Sequence, residues 1–451
     1  MTFIKKLEES LKLNQNYLFL LAIFNGAIVM NFHKLIYKNP LIMLGLLTFL
    51  IITIIDYKKW WSVIFNSFIA ISSMFLVFPR IGNHSTFLLV ISILLVGWFF
   101  LKWIKFKVNI EPNFISYLFR IVTVSIYFYS GFHKLNTDFF NSCVSCVNEI
   151  NEYTISNILN SDFKLSSSLS RTFQFIAIIL EMIVPFGLLS VKTRKYAVLL
   201  LLLFHSYLSL SVFADFSALA LFLLIGCIHD FEGKEIPKQV VNYLKFYLVF
   251  IILAVLCLGL LKYSAIIVYK HRFIQGIIFA IGYLTFGLIY LKNYKPKEFF
   301  FKKNYVIPLI ITFLLLSFWT LKTYIGLGNA GNLTMFSNLV TEKELNNHFL
   351  IDTKKTKIFD FEEDSVYIIS MNNPFVREKY DGYKIPVSEF RFLVNYWARK
   401  FDKPIACKLI YKGKQYNFDD LRTSEFKNSK KYYKYLNFRK IQTKSPNECR
   451  W

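Results

Sequence analysis

Residues 113–136 read NFISYLFRIVTVSIYFYSGFHKLN. The run is greasy enough to lie in a bilayer, yet it carries an arginine, a histidine and a lysine. Arg120, Thr123, Tyr127, Ser130 and Lys134 recur at spacings of 3, 4, 3 and 4. That rhythm puts all five on one face of a helix. The positions between them, Leu118, Phe119, Ile121, Val122, Ile126 and Phe128, are apolar. Lipid cannot satisfy a polar stripe, so the pattern predicts a membrane helix whose polar face looks into a bundle of other helices. His133 falls about 100° round the helix from Lys134 and is off the stripe.

The rest of the chain fits that reading. Its 451 residues are 55% hydrophobic and 18% aromatic, which is rare for a soluble chain of this length. Runs of about 18 or more apolar residues, long enough to cross a bilayer, recur along most of it. About eleven spans are expected, near 16–34, 39–56, 60–79, 86–104, 113–135, 171–190, 195–213, 216–229, 244–262, 272–291 and 305–325. The run 216–229 is short and is also compatible with a re-entrant piece. The expected fold is an all-α polytopic membrane helix bundle with a small C-terminal extramembrane α+β domain. The boundary is placed between 1–326 and 327–451.

The net charge of +24 does not imply nucleic acid, because the basic residues sit in short loops between apolar runs. These are Lys5, Lys6 and Lys12, then DYKKW, KWIKFK, VKTRKY and LKNYKPKEFFFKKN. With eleven spans all of them fall on one side, which the positive-inside rule assigns to the cytoplasm. The N-terminus is then cytoplasmic. The segments PRIGNHS and 136–170 and the tail lie outside, in the periplasm of a bacterial inner membrane. The tail is more polar. KIFDFEED, SVYIIS and ACKLIYKGKQYNF read as short strands with a hairpin turn at Lys412-Gly413, and VSEFRFLVNYWARKF reads as an amphipathic helix.

Several residues could carry chemistry. Lys134, at the end of the stripe, would sit in a partly dry cavity. Such a place disfavours the ammonium and leaves a neutral amine able to take a proton. The alternative is a lysine snorkelling to the interface. His84, in PRIGNHSTFL, falls at the same level as Lys134, either as its partner or a substrate's, or as an interface residue beside a helix cap at Asn83 or Ser85. Glu181 and His205 lie mid-span and are either site residues or interhelical glue. Asp215 is read near the outer end of the same helix as His205. Cys143-Val-Ser-Cys146 has the spacing of a redox dithiol or a local disulfide. A structural disulfide from one of the pair to Cys407 or Cys449 is the other option. No second C-x-x-C or paired histidine accompanies it, so no metal is expected. No phosphate loop or nucleotide fingerprint is present.

The ordered segments resemble the horizontally transferred transmembrane domain (HTTM) family, to which vitamin K-dependent gamma-carboxylase belongs. Gly131, Lys134, Leu135, Asp138 and Phe139 match its Gly-x-x-Lys-Leu helix end. Asn83, His84 and Ser85 match its Asn-His-Ser segment. Glu181, Pro185, Arg194, Phe204 and His205 match a third pattern, and the segment from Met335 to Leu350 is similar to the stretch after the last span in bacterial members. The resemblance covers roughly residues 15–350. It implies an enzyme that uses a reduced, vitamin K- or menaquinone-like quinone with O2 and CO2. Lys134 would be the base, His84 its positioning or proton-transfer partner, and His205, with Tyr127, Ser130 and Glu181, would line the cofactor cavity. A secreted peptide or protein substrate is implied, beside membrane lipid as the surroundings. The chain departs from animal members in two ways. His133 stands where they have a second lysine, and the tail is shorter than their lumenal region. Two other classes stay open. One is a quinone-linked thiol/disulfide redox or maturation partner using Cys143 and Cys146. The other is a non-catalytic membrane protein on the same scaffold.

Overall fold

The computed structural model describes residues 14–75, 82–104, 110–211, 213–233, 235–263, 270–298, 300–443 and 446–449. Lys5, Lys6 and Lys12, the end of the 60–79 run, and Lys105 and Lys107 of KWIKFK lie outside them.

Each of the eleven apolar runs carries a helix. In chain order the first five are α1 (Gln15–Asn31), α2 (Pro40–Ile55), α3 (Trp60–Phe75), α4 (Asn83–Trp103) and α5 (Pro112–Phe132). The segment 136–170 adds α6 (Cys146–Leu159). Then come α7 (Ser167–Ile178), α8 (Val191–Ser209), α9 (Ala214–Ile228), α10 (Lys238–Tyr263), α11 (His271–Asn293) and α12 (Val306–Leu321). Among the described residues six are long and apolar enough to cross a membrane: 83–103, 112–132, 167–188, 238–262, 271–293 and 303–325, counting the short turns that extend α7 and α12. The apolar helices α2, α3 and α9 are shorter. Exposed apolar side chains such as Leu41 on α2 and Ile307, Leu314, Leu315 and Phe318 on α12 suit contact with lipid.

Two compact units divide the chain. The first holds Met1–Phe128, Ile150–Leu165 and Ile176–Leu316. Within it α10 packs along α11, and α1 packs on α9 and α3. Gly276 on α11 lets the backbone of α8 come close: a Cβ there would lie 2.1 Å from the Ser209 carbonyl oxygen. Small residues at such crossings are how membrane helices reach one another. Buried polar groups stitch the same unit. Asn66 donates to Asn25 Oδ1 (2.6 Å) and to the Leu46 carbonyl (3.1 Å), and Asn25 donates to Thr53 (2.7 Å).

The second unit holds Tyr129–Glu149, Ser166–Phe175 and Ser317–Trp451. Its sheet has strands β1 (Ser365–Met371), β2 (Lys384–Pro386), β3 (Cys407–Tyr411) and β4 (Lys414–Phe418) in the antiparallel order β2-β1-β3-β4. Val366 pairs with Ile385, Ile368 with Leu409 and Cys407 with Phe418. The β3–β4 turn falls at Lys412-Gly413, both at positive φ (49° and 75°), as a two-residue hairpin of the right-twisting kind requires. The expected amphipathic helix is α14 (Val387–Lys400), which comes after α13 (Pro374–Tyr380). Its Phe390, Leu393, Val394 and Trp397 join Val366, Ile368, Ile385 and Leu409 in the core. KIFDFEED is not a strand. It is a loop with a turn, because Lys357 and Glu362 both point inward and pair with each other, a contact no sheet ladder would supply. Gly326, at φ +86°, closes the turn after α12, where the Leu327 N–H donates to the Lys322 carbonyl (3.1 Å). A Cβ on Gly326 would lie 2.0 Å from the Phe359 carbonyl oxygen.

Candidate functional site

The stripe on α5 is turned inward, as its spacing predicts. Arg120, Thr123, Tyr127 and Lys134 are buried and Ser130 is half-buried. Each finds a protein partner, which is the only way a polar group survives away from water. Arg120 Nε donates to the Cys227 carbonyl (3.2 Å), and the Cys227 thiol lies 3.4 Å from Thr123 Oγ1. The Tyr127 hydroxyl shares a hydrogen bond with His205 Nε2. Lys134 Nζ donates to Ser130 Oγ (3.2 Å) and to the Ser130 carbonyl (3.3 Å). α5 ends at Phe132, so Lys134 stands just past the last turn. Its N–H donates to the Gly131 carbonyl (2.9 Å), which keeps the side chain on the stripe.

His133 is also fully buried, and its Nδ1 shares a hydrogen bond with the Tyr324 hydroxyl (2.9 Å). Asn136 ties down the next segment. It donates to the His133 and Ser337 carbonyls and accepts from the Phe139 N–H.

In the first unit, Tyr127 and His205 form one pair and His84 forms another. His84 Nε2 lies 3.2 Å from Asp215 Oδ2, with both side chains largely covered. The two residues open α4 and α9, so two helix starts meet through one charge-assisted contact. Asp215 is the residue that sequence reasoning passed over as a functional partner. Its signal was an acid in the first turn of an otherwise apolar helix. Neither Asn83 nor Ser85 caps α4. The cap position is Gly82, and the Ser85 hydroxyl instead donates to Asn31 (3.1 Å).

Glu181 does not lie on a regular mid-span helix. Residues Ile179–Ile183 form a π turn and Val184–Leu188 a 3-10 turn. Pro185 supplies no N–H and crowds the preceding turn, so the α-helical ladder breaks there. Glu181 is buried in the break and lies within electrostatic reach of Tyr127.

In the second unit Cys146 is bonded to Cys449, and Cys143 is an exposed free thiol. Cys407 is buried in the sheet core, where burial pushes its thiol up to about 12. Among the described residues no group of three or more His, Cys, Asp or Glu is placed to hold a metal ion.

The pattern defines a helical membrane protein with buried titratable pairs and a disulfide-tied α+β tail. No family model, curated protein or solved structure matches the chain.

Proposed function

We propose that this chain is a quinol-dependent carboxylase or epoxidase-type enzyme of the HTTM kind, with Lys134 as its base. The supporting observation is the inward stripe that ends at Lys134: an amine 3% exposed, held against the hydroxyl and carbonyl of a half-buried serine. A serine hydroxyl can accept from the ammonium or donate to the amine, so it serves the side chain in either protonation state. By the same family resemblance His84, carried by Asp215, would take part in proton transfer, as a histidine oriented by a carboxylate does elsewhere in enzymes.

His205, Tyr127, Ser130 and Glu181 would serve the quinone. Their kind fits it. His205 Nδ1 and the Tyr283 hydroxyl are buried with no hydrogen-bond partner among the described residues, and a quinone offers oxygens that such groups bind. When bound with O2 and CO2, a reduced quinone supplies the electrons and the strong base that glutamyl carboxylation needs.

The topology proposed with this function has about eleven spans, a cytoplasmic N-terminus and a periplasmic tail in a bacterial inner membrane. The Cys146–Cys449 bond supports the outer placing of the tail, because disulfides persist in oxidising compartments.

The test is epoxide formation. Wild type and Lys134→Ala, purified in detergent, receive reduced menaquinone or vitamin K with oxygen and bicarbonate, and epoxide is followed by mass spectrometry. Wild type is expected to form epoxide. Lys134→Ala should lose at least about a hundredfold in rate, the usual contribution of a general base. A single detergent-complex peak in size exclusion at the wild-type position, with wild-type helical circular dichroism, reports that the variant has folded. A wild type that binds the quinol but forms no epoxide overturns the proposal.

A further inference from the structure

Cys146 is bonded to Cys449 at the start of α6, Cys143 lies three residues before it, and the proposed quinol chemistry uses none of the three. Cys146 is the first residue of that 14-residue helix and is fully buried. Its sulfur is bonded to Cys449, 303 residues away in sequence. Cys143 stands three positions before it, exposed and unbonded. The intervening chain is curled. The N–H groups of Val144 and Ser145 both donate to the Asn141 carbonyl (3.2 and 3.0 Å), and the Cys143 N–H donates to Asn141 Oδ1 (3.0 Å). A C-x-x-C pair at a helix N-terminus is the arrangement in which a thiol is most easily made reactive.

We infer that Cys143 is the attacking thiol of a built-in disulfide exchange, which moves the bond of Cys146 from Cys449 to Cys143. The Cys143 thiol gives its proton to solvent, and the thiolate attacks Cys146 Sγ. The Cys143–Cys146 bond forms as the Cys146–Cys449 bond breaks, and the electron pair leaves on the Cys449 sulfur, which takes up a proton. One disulfide and one thiol stand on each side, so no oxidant or reductant is consumed. The inference does not depend on the quinol chemistry.

The exchange has a structural consequence. The arm that carries Cys449 is otherwise attached here by hydrogen bonds. The Asn447 N–H donates to Asp138 Oδ2 (3.0 Å), and Asn338 Nδ2 reaches the Asn447 carbonyl (3.4 Å). Asn338 also accepts from the Cys146 N–H (2.9 Å) and donates to the Val144 carbonyl (2.8 Å), so one side chain clamps both the arm and the cysteine turn. Once the sulfur bridge moves to Cys143, the arm is held over Asp138, four residues past Lys134, by contacts of this non-covalent kind. Exchange is thus a release catch on the cover of that loop.

The test is a map of where the free thiol lies. Full-length protein, purified in detergent without reductant, is incubated at pH 6, 7 and 8. It is then quenched with acid, alkylated, digested and read by mass spectrometry. The expected result is label moving from Cys143 to Cys449 with a new Cys143–Cys146 bridge. The rate should rise about tenfold for each pH unit below the thiol pKa, because only the thiolate attacks. Cys143→Ser, at an exposed position, should keep Cys449 unlabelled throughout. Label confined to Cys143 at every pH, or label on Cys449 that persists in Cys143→Ser, overturns the inference. So does a Cys143–Cys449 bridge with Cys146 freed.

Discussion

The two units bury polar side chains in opposite ways. The first uses neutral or single-charge contacts spread thinly over many helices: Asn25 with Asn66 and Thr53, Tyr127 with His205, His84 with Asp215. The second concentrates charge. Lys357 and Glu362 are both fully buried and paired. Lys357 also donates to the Thr341 carbonyl (2.8 Å) and to Glu363 (3.0 Å). Glu342 sits close enough to Glu362 to push on its charge. The difference arises from the surroundings of each unit. A helix in lipid already satisfies its own backbone, so one good partner per polar side chain is enough. An irregular loop such as 357–364 has no backbone ladder to hold it, and the charge cluster takes that role.

Removing one half of the charge cluster should have the largest effect. Lys357→Met leaves Glu362 buried beside Glu342 without its cation. A loss of about 3–5 kcal/mol is expected for the tail, the usual cost of breaking a buried pair. Hydrogen exchange across residues 357–364 in the full chain would read it. Adding Glu362→Leu to the same chain should return much of the loss. If the single change leaves exchange unaltered, the cluster is not what holds the loop.

The pH dependence of the tail comes next. Burial, and then the Glu342 charge, push the Glu362 carboxyl up from 4.5 to about 7, against the opposing pull of Lys357. The folded tail therefore holds a proton that the unfolded chain gives up between about pH 4.5 and 7. Its stability should fall as pH rises through that window. Burial pulls the Lys357 ammonium down, but Glu362 and Glu363 together push it above 10.5, so its own titration lies far above the window. Denaturant midpoints of the tail at pH 5 and pH 8 should differ in wild type, and the difference should shrink in Glu362→Gln. An equal slope in both proteins would place the proton elsewhere.

The smallest effect belongs to the membrane unit. Asn66→Leu removes two donated hydrogen bonds but gains apolar contact. Interhelical hydrogen bonds of this type average about 0.6 kcal/mol, with values to about 1.7. Unfolding of the full chain in mixed micelles should shift by no more than that. A shift as large as that of Lys357→Met would erase the contrast between the two units.

Much of this was legible from residue order alone. The spacing of Arg120, Thr123, Tyr127, Ser130 and Lys134 is a backbone property, so it gave the buried face of α5 directly. Lys412-Gly413 and the amphipathic run 387–400 are likewise local signals, and both elements are present. The features that escaped were long-range or depended on a break. Nothing near Asp215 marks His84 as its partner, since the two are 131 positions apart. The choice of Cys449 over Cys407 depends on which cysteine the sheet buries. The π turn at Glu181 comes from Pro185, but its register is settled by the surrounding packing. KIFDFEED has a strand-like look, and only the pairing of Lys357 with Glu362 explains why it is a loop.

Gly326 carries a lesson in genetic terms. Every single-base missense change of a glycine codon adds a Cβ, and at this position that atom would meet the Phe359 carbonyl at 2.0 Å while the backbone holds φ at +86°. Asparagine and aspartate, which tolerate such a φ best, do not escape the overlap. The codon that joins the last apolar helix to the tail is thus one where no missense allele is conservative. Phe359 is only two residues from Lys357, so such alleles should present as loss of the tail and leave the membrane helices intact.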